Sequence, residues 1–359
     1  MAEPTARRLP SAVARWAAPS GVADCRPIGD VVDQSEGVPP AARGFVEGGD
    51  KAGGSRALAS GLGMIVRQGS IRPMKMLQQA LTRRRYRRRG YQVFRGAFEA
   101  GTISAVAELA REVASFAGKL RRQDDSIAVN AFYPGTMIVR NSLAHPHLSL
   151  PSPLDGLSLA LRQLVTSPSL ASCLRSLDGE RHYIVHQVLL FFGAQDTDLH
   201  LDSWSVDTSP RGRSHTVWIP LHDMGHLSGV PCVIPWPRRE VITEGELGLT
   251  PGSADPYRER YELYHRALRA RLLGGSPEIV TALVRAGDFM TWSSLTPHFT
   301  MPSRPFPAER LSVQVLIRPA DLRWGNFLEQ PYDRNSVQLE RVSEDFSIVL
   351  HQAPRQARA

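Results

Sequence analysis

The residues with the clearest chemical potential lie in the segment Asp198-Leu199-His200-Leu201-Asp202-Ser203-Trp204. In an extended backbone, side chains two positions apart project from the same face, so His200 and Asp202 are expected to reach one ion together. A third ligand must come from elsewhere in the fold, and His298 lies at the end of another predicted strand. Two histidines and one carboxylate on one face of an octahedral ion leave three positions open. That ligand set is typical of non-haem Fe(II) oxygenases.

A His-x-Asp triplet alone is weak evidence, and the alternative is a surface histidine and aspartate near a turn. Order and spacing strengthen the iron hypothesis, because His298 follows Asp202 by 96 residues and Arg310 follows 12 residues later, at the start of a predicted strand. An arginine that points into a barrel needs an anion, and its planar fork suits a carboxylate. An oxoacid that chelates the iron would supply that carboxylate. The alternative for Arg310 is a salt bridge near Glu309 or with an outer helix.

These residues need strands to position them. Residues 99–120 predict an amphipathic helix, and a charged, tyrosine-rich helix is predicted at 255–274, as either a lid or a structural outer helix. Several short strands with few helices predict a mainly β fold, a sandwich or barrel with flanking helices. Strands are predicted at 91–94, 182–192, 214–221, 229–234, 287–293 and 311–318.

The composition is that of a globular protein, with 359 residues, 42% apolar and 22% charged. No apolar run approaches the length of a membrane span, and arginines interrupt the first 25 residues, so neither a membrane nor a secretory location is expected. Three cysteines are too few for a disulfide framework or a zinc site. A cytoplasmic location is therefore expected.

The net charge of +8 is concentrated in residues 1–89, which hold 16 basic and 7 acidic residues, against 27 and 28 in the rest. Six arginines surround Tyr86 at 83–89. Such a run would bind nucleic acid or another anionic surface, but a solvated helix end is favoured, and nucleic acid is not expected as a partner. The sequence favours no oligomeric state. We predict a poorly ordered basic extension at 1–89, an oxygenase domain at 90–325 and a C-terminal extension at 326–359.

Four motifs have a characteristic order along the chain: GYQVFRG at 90–96, TVWIPL at 216–221, SGVPCVIP at 228–235 and GDF at 287–289 before His298. Through these motifs, residues 90–325 resemble the phytanoyl-CoA dioxygenase family of the 2-oxoglutarate oxygenase superfamily. The sequence departs from the family after Pro235, where Trp236-Pro237-Arg238 stands in place of the usual Gly-Ser-His.

The resemblance implies a double-stranded β-helix (jelly-roll, cupin-like) core that holds Fe(II) and binds 2-oxoglutarate and O2. It implies His200, Asp202 and His298 as metal ligands, and these three as the catalytic centre. For the co-substrate it implies Arg310 at the far carboxylate, a hydroxyl from Thr300, and Gln187 and Trp204 as lining residues.

The reaction implied is oxidation of a small organic molecule, by default hydroxylation, with release of succinate and CO2. Desaturation, cyclisation or ketone formation would need the same residues. The family accepts acyl-CoA thioesters, amino acids and natural products of secondary metabolism. Aspartates at 196, 198, 202 and 207 would favour an amino-bearing substrate, although turn chemistry explains them too. A zinc or manganese enzyme and a non-catalytic jelly-roll binding protein are the alternatives, and the intact ligand set argues against the second.

Overall fold

The fold is taken from a computed structural model of the chain. It describes residues 26–27, 71–194, 197–204, 206–225, 228–235, 242, 256–275, 277–281, 284–301, 307–325 and 337–350. Of the extension predicted to be poorly ordered at 1–89, residues 1–70 lie outside the described residues except for the short strand at 26–27, and residues 71–89 form a helix. The departure at 236–238 also lies outside the described residues.

Sixteen strands and five α-helices make up the described part of the chain. The helices are α1 (Ile71–Arg89), α2 (Ala100–Glu112), α3 (Asp155–Val165), α4 (Pro168–Asp178) and α5 (Pro256–Leu273). The first eight strands are β1 (Arg26–Pro27), β2 (Tyr91–Arg95), β3 (Leu120–Arg121), β4 (Ile127–Ala128), β5 (Leu143–Ala144), β6 (Tyr183–Gly193), β7 (Asp207–Ser209) and β8 (His215–Pro220). The others are β9 (Pro231–Val233), β10 (Val280–Thr281), β11 (Phe289–Ser293), β12 (His298–Thr300), β13 (Glu309–Pro319), β14 (Arg323–Gly325), β15 (Gln338–Arg341) and β16 (Phe346–Leu350).

A nine-stranded sheet forms the centre, in the order β1-β2-β11-β8-β13-β6-β16-β15, with β5 also paired to β6. Its pairings are antiparallel except that between β16 and β6. A smaller sheet has the order β10-β9-β12. The prediction of a mainly β fold with helices is thus confirmed, and among the described strands no pairing closes a barrel.

Alternation along the central strands gives the large sheet two different faces. On β13, Val313 and Val315 belong to the main core cluster, which also contains buried residues of helices α2, α3 and α4. Gln314, which lies between them, and Arg310, three residues before Val313, are buried as well, but they line a cavity on the other face. Because side chains alternate along a strand, one face packs against the helices and the opposite face carries polar groups into the site.

The arginine run forms the end of α1, which ends at Arg89. The arginines at 84, 85, 87, 88 and 89 are exposed, whereas Tyr86 is buried and its hydroxyl lies 2.8 Å from Nδ1 of His215. Beyond residue 325, β15 and β16 extend the large sheet. The domain boundaries at 90 and 325 stay predictions. No helix among the described residues has the length and apolar character needed to cross a bilayer.

Candidate active site

The structure brings His200, Asp202 and His298 together as a potential metal centre. One ligand atom from each lies within 4.8 Å of the others. The carboxylate oxygen Oδ1 of Asp202 lies 3.8 Å from Nε2 of His200 and 3.5 Å from Nε2 of His298. Asp202 and His298 are 3% and 4% exposed. The three donors thus converge on one point at the inner end of the site.

Two backbone elements position these ligands. His200 and His298 form an isolated antiparallel bridge, with each backbone N–H donating to the other residue's carbonyl at 3.0 Å. Asp202 begins a 3-10 turn that ends at Trp204, instead of continuing the extended backbone assumed from the sequence. The turn is fixed by Val206, whose N–H donates to the carbonyl of Asp202 at 2.9 Å. The ligands therefore share a face because a bridge and a turn aim them there.

Hydrogen bonds at the far side of each imidazole determine which nitrogen faces the centre. Nδ1 of His200 lies 2.7 Å from the carbonyl of Asp198, and Nδ1 of His298 lies 3.0 Å from the carbonyl of Thr296. A carbonyl only accepts, so each Nδ1 carries the proton and each Nε2 presents a lone pair. Burial, followed by the nearby His298, lowers the pKa of His200 well below its usual value. A neutral imidazole is the form that binds a metal.

The two oxygens of Asp202 have different surroundings. Oδ2 accepts hydrogen bonds from the Thr216 hydroxyl at 2.6 Å and from the Trp292 indole N–H at 3.0 Å. Among the described residues, Oδ1 has no hydrogen-bond partner, and neither has Nε2 of His298, although both atoms are buried. Buried polar atoms in this condition are costly and call for a ligand. Two imidazole nitrogens and one carboxylate oxygen fit Fe(II).

A small cavity adjoins the two histidines, and Arg310, Thr300, Gln314 and Trp218 line it with them. Arg310 is 3% exposed, donates from one terminal nitrogen to the carbonyl of Gly229 at 2.6 Å, and lies 5.2 Å from the centroid of the Phe191 ring. A guanidinium held in this way presents a fixed positive charge. Glu309, the neighbour considered as an alternative partner of Arg310, forms an ion pair with Arg111 at 3.3 Å.

The two weaker sequence candidates have different outcomes. Gln187 is buried on β6, opposite Leu316 of β13, but it is not among the described residues that line the cavity. Trp204 ends the 3-10 turn that Asp202 begins, and its side chain lies outside the described residues. The roles predicted for both residues stay predictions.

Helix α5, the insert predicted at 255–274, contacts the segment that carries His200. Nδ1 of His265 lies 3.1 Å from the carbonyl of Leu199, and Arg269 forms an ion pair with Asp198 at 2.7 Å. Tyr264, Leu268 and Leu272 form an apolar cluster with Leu201 and Ile234. Helix α5 therefore contacts the residues before and after His200 in the sequence.

Sequence reasoning did not identify Thr216, Trp292 or Gln314. Gln314 is 3% exposed and the amide nitrogen of its side chain has no hydrogen-bond partner among the described residues. Thr216 and Gln314 are polar residues within predicted strands that are otherwise largely apolar. Side chains alternate between the two faces of a strand, so a polar residue in such a strand indicates a face that is turned to a polar cavity or to the solvent. This pattern could have identified both residues.

Comparison with known families decides what kind of centre this is. The family model described as phytanoyl-CoA dioxygenase matches residues 86–304. The chain belongs to the phytanoyl-CoA dioxygenase family. The resemblance noted in the sequence is thereby confirmed, and the chain is a non-haem iron oxygenase that uses 2-oxoglutarate. The triad of His200, Asp202 and His298 is able to bind the metal of such an enzyme.

Several solved structures are similar to this member of the phytanoyl-CoA dioxygenase family. The non-haem α-ketoglutarate-dependent epimerase SnoN from nogalamycin biosynthesis is 20% identical, with 77% of this chain and 100% of that chain covered and a TM-score of 0.47. The carbocyclase SnoK from the same biosynthesis is 18% identical, with 68% and 85% covered and a TM-score of 0.46. EctD from S. alaskensis is 20% identical, with 71% and 81% covered and a TM-score of 0.45. No curated protein matches the chain.

Proposed function

We propose that this protein oxidises a small organic molecule, by hydroxylation in the simplest case, with Fe(II) held by His200, Asp202 and His298. The observation that carries the proposal is the convergence of two buried donor atoms, Oδ1 of Asp202 and Nε2 of His298, with Nε2 of His200. When bound, the iron supplies activation of dioxygen coupled to oxidative decarboxylation of 2-oxoglutarate to succinate and CO2. The residues that follow supply binding, orientation and exclusion of water.

We assign the co-substrate's far carboxylate to Arg310. Three features support this role: the guanidinium is buried, it shares the cavity with the two histidines, and its contact with the carbonyl of Gly229 fixes its direction. A bidentate pair between guanidinium and carboxylate is among the stronger hydrogen-bonded contacts in proteins. Thr300, which lines the same cavity two residues after His298, is assigned the supporting hydroxyl.

Trp218 and Trp292 supply the apolar walls of the cavity. Both are 1% exposed, and the Trp292 ring centroid lies 4.8 Å from that of His298. Large buried rings at this position exclude bulk water from the reacting atoms, which strengthens every electrostatic contact inside.

We further propose that the two sheets correspond to the double-stranded β-helix of the superfamily. The support is that the bridge between His200 and His298, which continues into β12 of the small sheet, and the polar face of the large sheet contribute to one cavity.

The aspartates that suggested an amino-bearing substrate lend it little support. Asp198 is paired with Arg269. Asp207 is fully buried and accepts hydrogen bonds from backbone N–H groups and from Ser294. Asp196 lies outside the described residues. We therefore propose a small organic substrate, with an amino-bearing natural product, an acyl-CoA and an amino acid as the classes to compare.

The deciding experiment is an anaerobic titration of the purified apoprotein with Fe(II) and then 2-oxoglutarate. We expect a weak charge-transfer band in the visible spectrum that requires both additions, disappears in Asp202→Ala and weakens in Arg310→Ala. The control is His182→Ala, because His182 precedes the end of β6 that pairs with Pro319 of β13, whereas Arg310 lies at the other end of β13. A folded, iron-loaded protein without the band would contradict the proposal. Succinate release would then rank the three substrate classes.

A further inference from the structure

The carboxylate of Asp202 is held by two donors that come from neighbouring strands. Thr216 on β8 and Trp292 on β11 are direct partners in the antiparallel register, so their side chains lie side by side on the same face of the sheet. Thr216 is fully buried and Trp292 is 1% exposed. Both donate to the same oxygen, Oδ2, at 2.6 and 3.0 Å.

This arrangement leaves one oxygen of Asp202 for the metal and engages the other. Oδ1 is the atom that lies 3.8 and 3.5 Å from the two imidazole nitrogens. Hydrogen bonds to an ionised carboxylate are short and strong, and here they are buried, where the local dielectric strengthens them further. Rotation of the carboxylate to offer both oxygens would therefore break two buried bonds and leave two donors unsatisfied.

We propose that Thr216 and Trp292 are positioning residues that hold Asp202 to coordination through Oδ1 alone, and so reserve open positions on the metal for the co-substrate and dioxygen. The inference rests on the proposed function, since it concerns the ion held by His200, Asp202 and His298. An octahedral ion with three protein donors has three positions left, and a second oxygen from Asp202 would take one that 2-oxoglutarate or dioxygen needs.

The test measures binding instead of turnover. Mn(II) replaces Fe(II), and equilibrium dialysis measures the Kd of 2-oxoglutarate at saturating Mn(II). We expect Thr216→Val and Trp292→Phe each to raise this Kd about tenfold, the scale on which outer hydrogen-bond partners of metal ligands act. Thr216→Ser retains the hydroxyl and should stay within about threefold of wild type.

A matched control is available one strand away. Thr291 on β11 has a buried hydroxyl that donates to the carbonyl of Thr216 at 2.9 Å, not to Asp202. Thr291→Val makes the same chemical change as Thr216→Val, and it should leave the Kd of 2-oxoglutarate unchanged. Water-proton relaxation of the Mn(II) complex adds a direct readout, because a second oxygen from Asp202 should displace about one of roughly three bound waters in Thr216→Val.

The outcomes separate the two proposals. If wild-type protein binds neither Mn(II) nor Fe(II), the proposed function and this inference both fail. If wild type binds the metal and 2-oxoglutarate but Thr216→Val and Trp292→Phe, folded by circular dichroism, bind the co-substrate equally well, only this inference is overturned. It is also overturned if Thr216→Ser behaves like Thr216→Val, because the hydroxyl is then not the group that acts.

Discussion

Asp207 should make the stability of this protein fall as the pH rises towards neutrality. Its side chain is fully buried on β7, and burial raises its pKa from 3.8 to about 6, against the opposing effect of three hydrogen bonds to Oδ1. Those bonds come from the backbone N–H of Thr208 at 2.7 Å, the backbone N–H of Gly212 at 2.9 Å and the hydroxyl of Ser294 at 2.8 Å. Oδ2 is buried without a hydrogen-bond partner among the described residues.

The sign follows from proton linkage. Between the unfolded pKa of 3.8 and the folded pKa of about 6, the folded state binds more protons than the unfolded state. The stabilisation linked to Asp207 is therefore complete below the unfolded pKa and is lost as the pH rises through the folded pKa. The difference between the two pKa values corresponds to about 3 kcal/mol. About 2 kcal/mol of that falls between about pH 4.5 and about pH 7.5.

The assay is urea unfolding of wild type and Asp207→Asn at several pH values in that range. Asparagine keeps an acceptor for the three donors but does not titrate, so the difference in unfolding free energy should shift by about 2 kcal/mol in favour of the variant as the pH rises. A constant difference for Asp207→Asn would refute the assignment of a raised pKa.

Three further variants test the cavity and the insert. Arg310→Ala should raise the Kd of 2-oxoglutarate at least about 30-fold, which is the loss expected when one partner of a buried charge pair is removed. The affinity for Mn(II) should stay unchanged, and an equal loss of both affinities would contradict the role of Arg310. Gln314→Leu should raise the melting temperature and stabilise the ligand-free protein by about 1 kcal/mol, because it removes a buried amide nitrogen that has no hydrogen-bond partner among the described residues. It should also raise the KM of the substrate, and a destabilised variant would contradict this reasoning. His265→Phe removes the hydrogen bond to the carbonyl of Leu199. It should lower the unfolding free energy by about 1 kcal/mol and weaken Mn(II) binding. An unchanged Mn(II) affinity would show that α5 stabilises the fold without positioning His200.

The strands were predictable because their apolar content is continuous. The segment predicted at 182–192 is the strand Tyr183–Gly193, and that predicted at 311–318 is Glu309–Pro319. Helices α3 and α4 were not predicted, although their buried leucines have helical spacing. The amphipathic helix predicted at 99–120 ends earlier, at Glu112, and a 3-10 turn follows it at Val113–Ser115. Val113 is buried in that turn, so its apolar side chain continued the helical spacing in the sequence although the helix had ended.

The metal ligands were predictable from residue type and order, but the residues that form hydrogen bonds with Asp202 were not. His-x-Asp followed by a distant histidine names the donors, whereas the partners of Asp202 depend on the register between β8 and β11, which places Thr216 opposite Trp292. The hydrophobic pattern of a strand determines which of its residues face the core. Which residue of β11 lies opposite Thr216 depends on how two strands far apart in the sequence pair, and neither strand alone shows this. The same reason hides Gln314, whose importance comes from the cavity that it shares with Arg310.

The contacts of α5 bear on the choice between a lid and an outer helix that its sequence left open. A lid must separate from the site at low cost, and polar contacts at the exposed surface are weak enough to allow this, as in the pair between Arg269 and Asp198. The apolar cluster of Tyr264, Leu268 and Leu201 is different, because Tyr264 and Leu268 are fully buried and opening would expose them to water. Helix α5 is therefore expected to hold the backbone beside His200 throughout the reaction cycle, so that any gating of the cavity must occur at other segments.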